Sequence, residues 1–386
     1  MIERWIQALF NLKDLAAGKP GTVFLSNCDP PAYGIPPSRI LQEILAKLDV
    51  NDLARYPKNF HGTEALIGGI KERVLKRTGI TVERDHIIVT NGVSEAFDLI
   101  ARTCRGGRFL VQDPFYYLMV EIFRFHGTVM LYPCVEEQEW HPDIDLLRAI
   151  LENSDARFDF LSIITPNNPT GAVYPRSVLK QLVNLAGEHD LLIITNEIYD
   201  EFSENEFTSV LSMSKDVPVV YLNGFSKGYR LPGMRVGYMV FHDAEGRKAG
   251  FWETVSHHAR LRSGVNLAGQ AFAAASLKEP ASERNRIIGG AWAKKQVLEH
   301  RIARSNLLST VPSRGGTFIL PKVPVDDLQL CKTLLASHGY FVYPGSCFGE
   351  QSRNHVCLVF LESEEHLVEG VNAMETVVRD MRLSST

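Results

Sequence analysis

The segment NGFSKGYRLPGMRVGY, residues 223–238, decides how this chain is read. It joins two apolar runs, VVYLNG (219–224) and VGYMVF (236–241), with no helical stretch between them. In the gap stand Lys227 and, eight residues on, Arg235, among glycines. A cation at the mouth of a buried strand calls for a partner of opposite charge.

Five further apolar runs come earlier: HIIVT (86–90), RFLVQD (108–113), TVMLYP (128–133), FLSIITP (160–166) and LLIITNE (191–197). Each is short, rich in β-branched or aromatic residues and closed by a turn residue, as strands buried on both faces are. Helical stretches such as SEAFDLIARTC (94–104) and SVLKQLVNLAGEH (177–189) lie between most of them. The alternation predicts an α/β large domain with a mostly parallel seven-stranded sheet between helices. From about residue 270 long helical stretches take over, followed by GTFILP (316–321), YFVYPG (340–345) and VCLVFLE (356–362). These predict a smaller α+β domain over 269–386. The large domain is expected over 46–268, with residues 1–45 packing against the small one.

Bulk properties narrow the function. Hydrophobic content of 45% and charged content of 22% suit a globular protein. A net charge of −4 without a lysine-rich tract gives nothing to hold a nucleic-acid backbone. No apolar run approaches bilayer length, and MIERWIQALFNLKD (1–14) reads as an amphipathic helix rather than a leader. Six scattered cysteines form no CxxC pair, which suits reduced thiols and a cytoplasmic location. No metal site is expected.

Ligands of open α/β sheets collect at the carboxyl ends of the strands. After HIIVT comes NGVSEAF (91–97), a glycine turn opening into a helix, whose free amides and dipole suit a phosphate. After RFLVQD comes Tyr116, either core or a stacking platform. PNNPTG (166–171) offers Asn167 and Asn168 before a proline, NEIY (196–199) a polar group, and the opening segment its lysine and arginine. Each signal alone is weak. Six in this order are strong.

The set resembles the pyridoxal-phosphate enzymes of the aspartate aminotransferase fold, the class I/II aminotransferases, over nearly the whole chain. The resemblance is carried by RYPKNFHGTEAL (55–66), NGVSEAF, DPFYY (113–117), PNNPTG, NEIY, SKGYRLPGMRVGY and YPGSCFG (343–349). It implies that Lys227 forms the Schiff base with pyridoxal 5′-phosphate and moves the α-proton. It implies Arg235, Gly92, Val93, Ser94 and Ser226 on the phosphate, and Tyr116 stacked on the ring. Asn168 and Tyr199 would bond the ring hydroxyl. Tyr56 would reach the phosphate of a partner subunit, so a homodimer with shared sites is expected.

The chain also departs from the family pattern. Asn196 stands where members usually carry an aspartate that keeps the pyridine nitrogen protonated. It is either a tolerated variation, native or introduced, or a deliberate weakening of the ring as an electron sink. Cys357, in HVCLVF (355–360), falls where an arginine usually grips the substrate carboxylate; Arg353 and Arg314 are the candidate substitutes. Gly224 replaces a common serine or threonine, and LSNCDPPAYGIPP (25–37) puts Cys28 near a usual substrate-loop glycine.

Two enzymatic readings follow. One is an aminotransferase for an unusual amino donor, an amine or amino acid without a free α-carboxylate at the usual place. The other is a lyase, replacement or deaminating enzyme of specialised metabolism, for which a weaker electron sink would suit. A non-catalytic module is disfavoured by the intact lysine and arginine, and a nicotinamide enzyme by the missing Gly-x-Gly-x-x-Gly turn.

Overall fold

The computed structural model describes residues 4–154 and 157–384. Its main sheet runs, in spatial order, Ile87–Thr90, Gly237–His242, Val219–Gly224, Leu192–Asn196, Phe160–Ile164, Arg108–Asp113, Thr128–Val135 and His141–Pro142. All seven expected strands are present. The eighth is a two-residue addition that pairs with Cys134 and Val135 at one edge. Every residue of the strands at 87–90, 160–164, 192–196 and 219–224 is buried, which explains their unbroken apolar runs.

Pairing is parallel from Val219–Gly224 through Thr128–Val135. Gly237–His242 runs antiparallel to both its neighbours. The reason lies in the chain: parallel neighbours need a helical crossover, and the segment between these two strands has none. Helices flank the sheet in the expected places. Val93–Thr103 buries Ala96, Phe97, Leu99 and Ile100 and pairs Arg102 with Asp98 on its outer face. Arg176–Glu188 buries Leu179, Leu182, Val183, Leu185 and Ala186.

The C-terminal part holds a three-stranded antiparallel sheet, Phe318–Ile319, Val356–Val359 and Tyr343–Pro344, under helices Asp327–His338 and Glu364–Ser384. YFVYPG does not form one strand. Its first half, Tyr340–Phe341, pairs in parallel with Val23–Phe24, while Tyr343–Pro344 turns to the other sheet. The Leu25 carbonyl also accepts from the Val359 N–H at 2.7 Å, so residues 23–25 run beside this sheet and enter the centre of the molecule.

One buried acid ties the strand ends to stability. Glu197 follows Leu192–Asn196 and accepts from the Val210 N–H at 2.8 Å and the Thr195 hydroxyl at 3.2 Å. Desolvation pushes its carboxyl from 4.5 up to about 8. The folded protein therefore holds a proton that the unfolded chain releases, and this contribution is full below pH 4.5 and declines as pH rises to about 8. Glu197→Gln keeps the shape without the proton. Urea unfolding between pH 5 and 8.5 is expected to show a smaller loss of stability with pH in the variant; an unchanged slope would rule this assignment out.

Candidate active site

The carboxyl ends of the parallel strands open on a cavity of about 230 Å3. Its wall gathers Val93, Ser94, Tyr116, Asn168, Asn196, Tyr199, Ser226, Lys227, Arg235, Cys28 and Cys357, which lie far apart in sequence.

At one end the helix Val93–Thr103 points its N-terminus inward. Gly92, its N-cap, has φ 73°, a conformation that favours glycine. A Cβ there would come 2.5 Å from Nη2 of Arg235. The guanidinium thus lies directly on the turn, and among the described residues no carboxylate pairs with it. Free helix amides, Ser94, Ser226 and an unpaired arginine form a cradle for a dianionic phosphate.

Lys227 occupies the middle. Its Nζ donates to the Cys28 carbonyl at 2.7 Å and lies 5.8 Å from the centre of the Tyr199 ring. The loop that carries it is fixed by Arg230, a fully buried side chain. Nε of Arg230 donates to the Pro36 carbonyl at 2.9 Å, Nη1 to the Gly228 carbonyl at 2.9 Å, and the guanidinium forms an ion pair with buried Glu279. The Arg230 N–H closes the turn on the Lys227 carbonyl at 3.0 Å.

Three strand ends complete the ring-sized part of the cavity. In PNNPTG, Asn167 is spent on the turn: it donates to the Pro114 carbonyl and accepts from the Thr170 N–H and hydroxyl. That bracing leaves Asn168 on the cavity wall. Tyr199 is buried, its phenol pushed well above its ordinary pKa by desolvation and then by Cys28. Asn196 spends its carbonyl oxygen on the Ile198 N–H at 3.3 Å, so the amide N–H2 is the group it offers the cavity. Tyr116 is likewise held neutral by burial.

Three expected residues stand elsewhere. Arg353 is exposed and pairs with Glu350 at 2.8 Å. Arg314 pairs with Glu204 at 3.2 Å and Glu139 at 3.5 Å, outside the cavity wall. Neither guanidinium is brought to the site, because each finds an acid nearer its own loop. Tyr56 is 82% exposed and does not line the cavity of its own chain. Conversely, Ser26, Asn27, Tyr117, Ile198, Pro232, Phe318, Tyr343 and Phe348 line the wall unannounced. Tyr117 and Tyr343 sit inside the stretches DPFYY and YPGSCFG, and Ser26 and Asn27 inside LSNCDPPAYGIPP, so a signal existed for each stretch but not for the residue within it.

A lysine on a buried loop, a helix N-terminus with an arginine in the same cavity and hydrogen-bonding strand ends beside them agree with what known proteins show. The sequence model for aminotransferase class I and II matches residues 27–371. The chain belongs to that family. An alanine aminotransferase of Mycobacterium tuberculosis is 31% identical over 308 residues, 75% of this chain and 70% of the relative. A glutamate-pyruvate aminotransferase of Escherichia coli is 29% identical over 299 residues, 73% and 72% of the two chains. Among solved structures, an alanine aminotransferase from Pyrococcus furiosus superposes with a TM-score of 0.89 at 29% identity, covering 97% of this chain and 96% of that one. The protein is a pyridoxal-phosphate-dependent enzyme of the aminotransferase type. The relatives' names do not favour the elimination or deamination reading. Among the described residues, no helix is long and apolar enough to cross a membrane.

Proposed function

We propose that this aminotransferase moves an amino group between an amino donor and a carbonyl acceptor, with Lys227 as the attachment point of pyridoxal phosphate and the carrier of the α-proton. The observation that supports this most is the placement of Nζ of Lys227 in one cavity with the Gly92–Arg235 cradle. Pyridoxal phosphate supplies an electrophilic aldehyde and a ring that withdraws electrons from the donor's α-carbon. Arg235, Gly92, Val93, Ser94 and Ser226 would hold its phosphate, and Tyr116 would lie on its ring. Asn168 and Tyr199 would bond the ring hydroxyl. Nζ of Lys227, once neutral, would take up and hand on the donor's α-proton.

The active form in this reading is a homodimer in which Tyr56 of the partner subunit completes the phosphate site; its exposure in one chain supports this. Residues 46–268 form the cofactor-binding domain, and 1–45 group with 269–386. A cytoplasmic location is supported by six unpaired thiols. Borohydride treatment of the loaded protein tests the attachment: the peptide bearing Lys227 gains the mass of the reduced cofactor. Recovery of that mass on another lysine would refute it.

Asn196 sets the strength of the reaction. An amide N–H2 donates, and so partners an unprotonated ring nitrogen, whereas a carboxylate partners a protonated one. Charged hydrogen bonds exceed neutral ones by about 1–2 kcal/mol. Asn196→Asp is therefore expected to raise the single-turnover rate of donor conversion by about five- to thirtyfold. A slower or unchanged rate would show that this site works with an unprotonated ring.

A further inference from the structure

The part of the cavity wall formed by Ser26, Cys28 and Cys357 has an unusual chemistry. Among the described residues, two cations line the cavity, Lys227 and Arg235, and both belong to the cofactor in the reading above. Arg353 and Arg314 are bound to acids outside it. Where a carboxylate-gripping guanidinium is expected, Cys357 is buried and its thiol is held neutral by desolvation.

The same wall carries uncharged hydrogen-bonding groups. The Cys28 thiol lies 2.9 Å from the Thr317 hydroxyl and 3.2 Å from that of Tyr199. Ser26 is only 3% exposed, lines the cavity, and its hydroxyl finds no partner. A buried hydroxyl left unpaired is uncommon and calls for an explanation, and a bound molecule is one. A carboxylate placed among these groups would lose its water without gaining a counter-ion, at a cost of several kcal/mol. A neutral amide, ester or alcohol would lose far less. Hydroxyls and thiols both donate and accept, so they serve a carbonyl oxygen and an N–H or O–H alike.

We propose that the amino donor of this enzyme carries an uncharged polar group, a carboxamide, ester or alcohol, where an amino acid carries its α-carboxylate. Ser26 and Cys28 receive that group, the Thr317 hydroxyl holds the Cys28 thiol from behind, and Cys357 closes the space beside them. The inference rests on the transamination reading above and specifies its donor. The chemistry balances without an added oxidant: the donor gives its amino group and α-hydrogen to the cofactor and leaves as the α-oxo compound, gaining in net the oxygen of the cofactor aldehyde.

Lys13 is the cation that could receive a carboxylate instead. It stands behind this wall, with Nζ 3.4 Å from the Tyr117 hydroxyl and 5.4 Å from the centre of the Tyr343 ring. It does not line the cavity. The experiment includes it.

The test uses the cofactor-loaded enzyme and two matched pairs. L-Alaninamide and L-alanine report conversion of bound pyridoxal phosphate to pyridoxamine phosphate. L-Lactamide and L-lactate, which carry no amine, report binding by calorimetry. At least tenfold faster conversion of the amide and at least tenfold tighter binding of lactamide are expected. Cys357→Arg should move both ratios at least tenfold toward the acids, which cancels differences in intrinsic amine reactivity. Should that buried arginine prevent folding, Ser26→Ala decides: it lowers conversion of alaninamide more than that of alanine. Equal or faster conversion of alanine, or tighter binding of lactate, overturns the proposal. If that preference for lactate then disappears in Lys13→Met, the carboxylate belongs to Lys13. Failure of borohydride to fix a cofactor on Lys227 would instead remove the transamination reading, and this inference with it.

Discussion

Lys227→Ala is expected to lower the rate of donor conversion by about 10²–10⁴-fold, the range a positioned proton carrier contributes. The same variant should still bind pyridoxal phosphate, because the phosphate cradle of Gly92, Ser94, Ser226 and Arg235 does not depend on the lysine. Its fold should be intact: among the described residues the Lys227 side chain makes one hydrogen bond, to the Cys28 carbonyl, and that carbonyl sits at a cavity that water can enter. Rapid-mixing absorbance with pre-bound cofactor separates the outcomes. Retained binding with lost conversion assigns Lys227 to proton transfer. Conversion within threefold of the parent would move that role to another group.

Arg230→Met is expected to cost about 3 kcal/mol of stability. The change removes bonds to the Pro36 and Gly228 carbonyls and leaves Glu279 buried without its main partner. Breaking a buried pair costs about 3–5 kcal/mol. The low end applies because Arg284 remains 3.7 Å from the same carboxylate. Adding Glu279→Leu should return a large part of the loss, since the penalty lies in the orphaned charge rather than in the missing contact. Urea melts of both variants decide this; a double variant less stable than Arg230→Met would show that packing, not charge, is at stake. Nothing in the sequence marked Arg230, which lies between the two cations that drew attention, because burial of an arginine becomes visible only when the chain has folded around it.

The large sheet was legible because strands buried on both faces read as continuous apolar runs. Even the reversal of Gly237–His242 was foreshadowed by the missing crossover helix. The site was legible as far as it hangs on those strands: Asn168, Asn196, Tyr199 and Lys227 stand at or just past strand ends, Arg235 just before a strand start, and all line one cavity. What comes from elsewhere was legible only as stretches. Ser26 lies in LSNCDPPAYGIPP and Phe318 in GTFILP, but the strands there are two residues long, too short for a period to show which side chain faces the cavity. Arg353 and Arg314 were misplaced for a related reason. Sequence offers the charge, but only the fold shows that Glu350, Glu204 and Glu139 have already taken it.

The reversed strand has a mechanical meaning. Lys227 and Arg235 hang from a single hairpin whose legs are joined along six residue pairs, from Val219 opposite His242 to Gly224 opposite Gly237. At its loop end Gly224, Gly237 and Gly92 are stacked backbone to backbone; a Cβ on Gly237 would come 2.7 Å from the Gly92 carbonyl carbon. The two cations proposed to hold the ends of the cofactor are thus carried by one stiff frame, like the jaws of a fixed gauge. Ser26, Cys28, Phe318, Tyr343 and Cys357 are mounted on other parts of the chain. A small displacement of those parts would widen the half of the chamber that admits and releases the donor and leave the gauge unchanged.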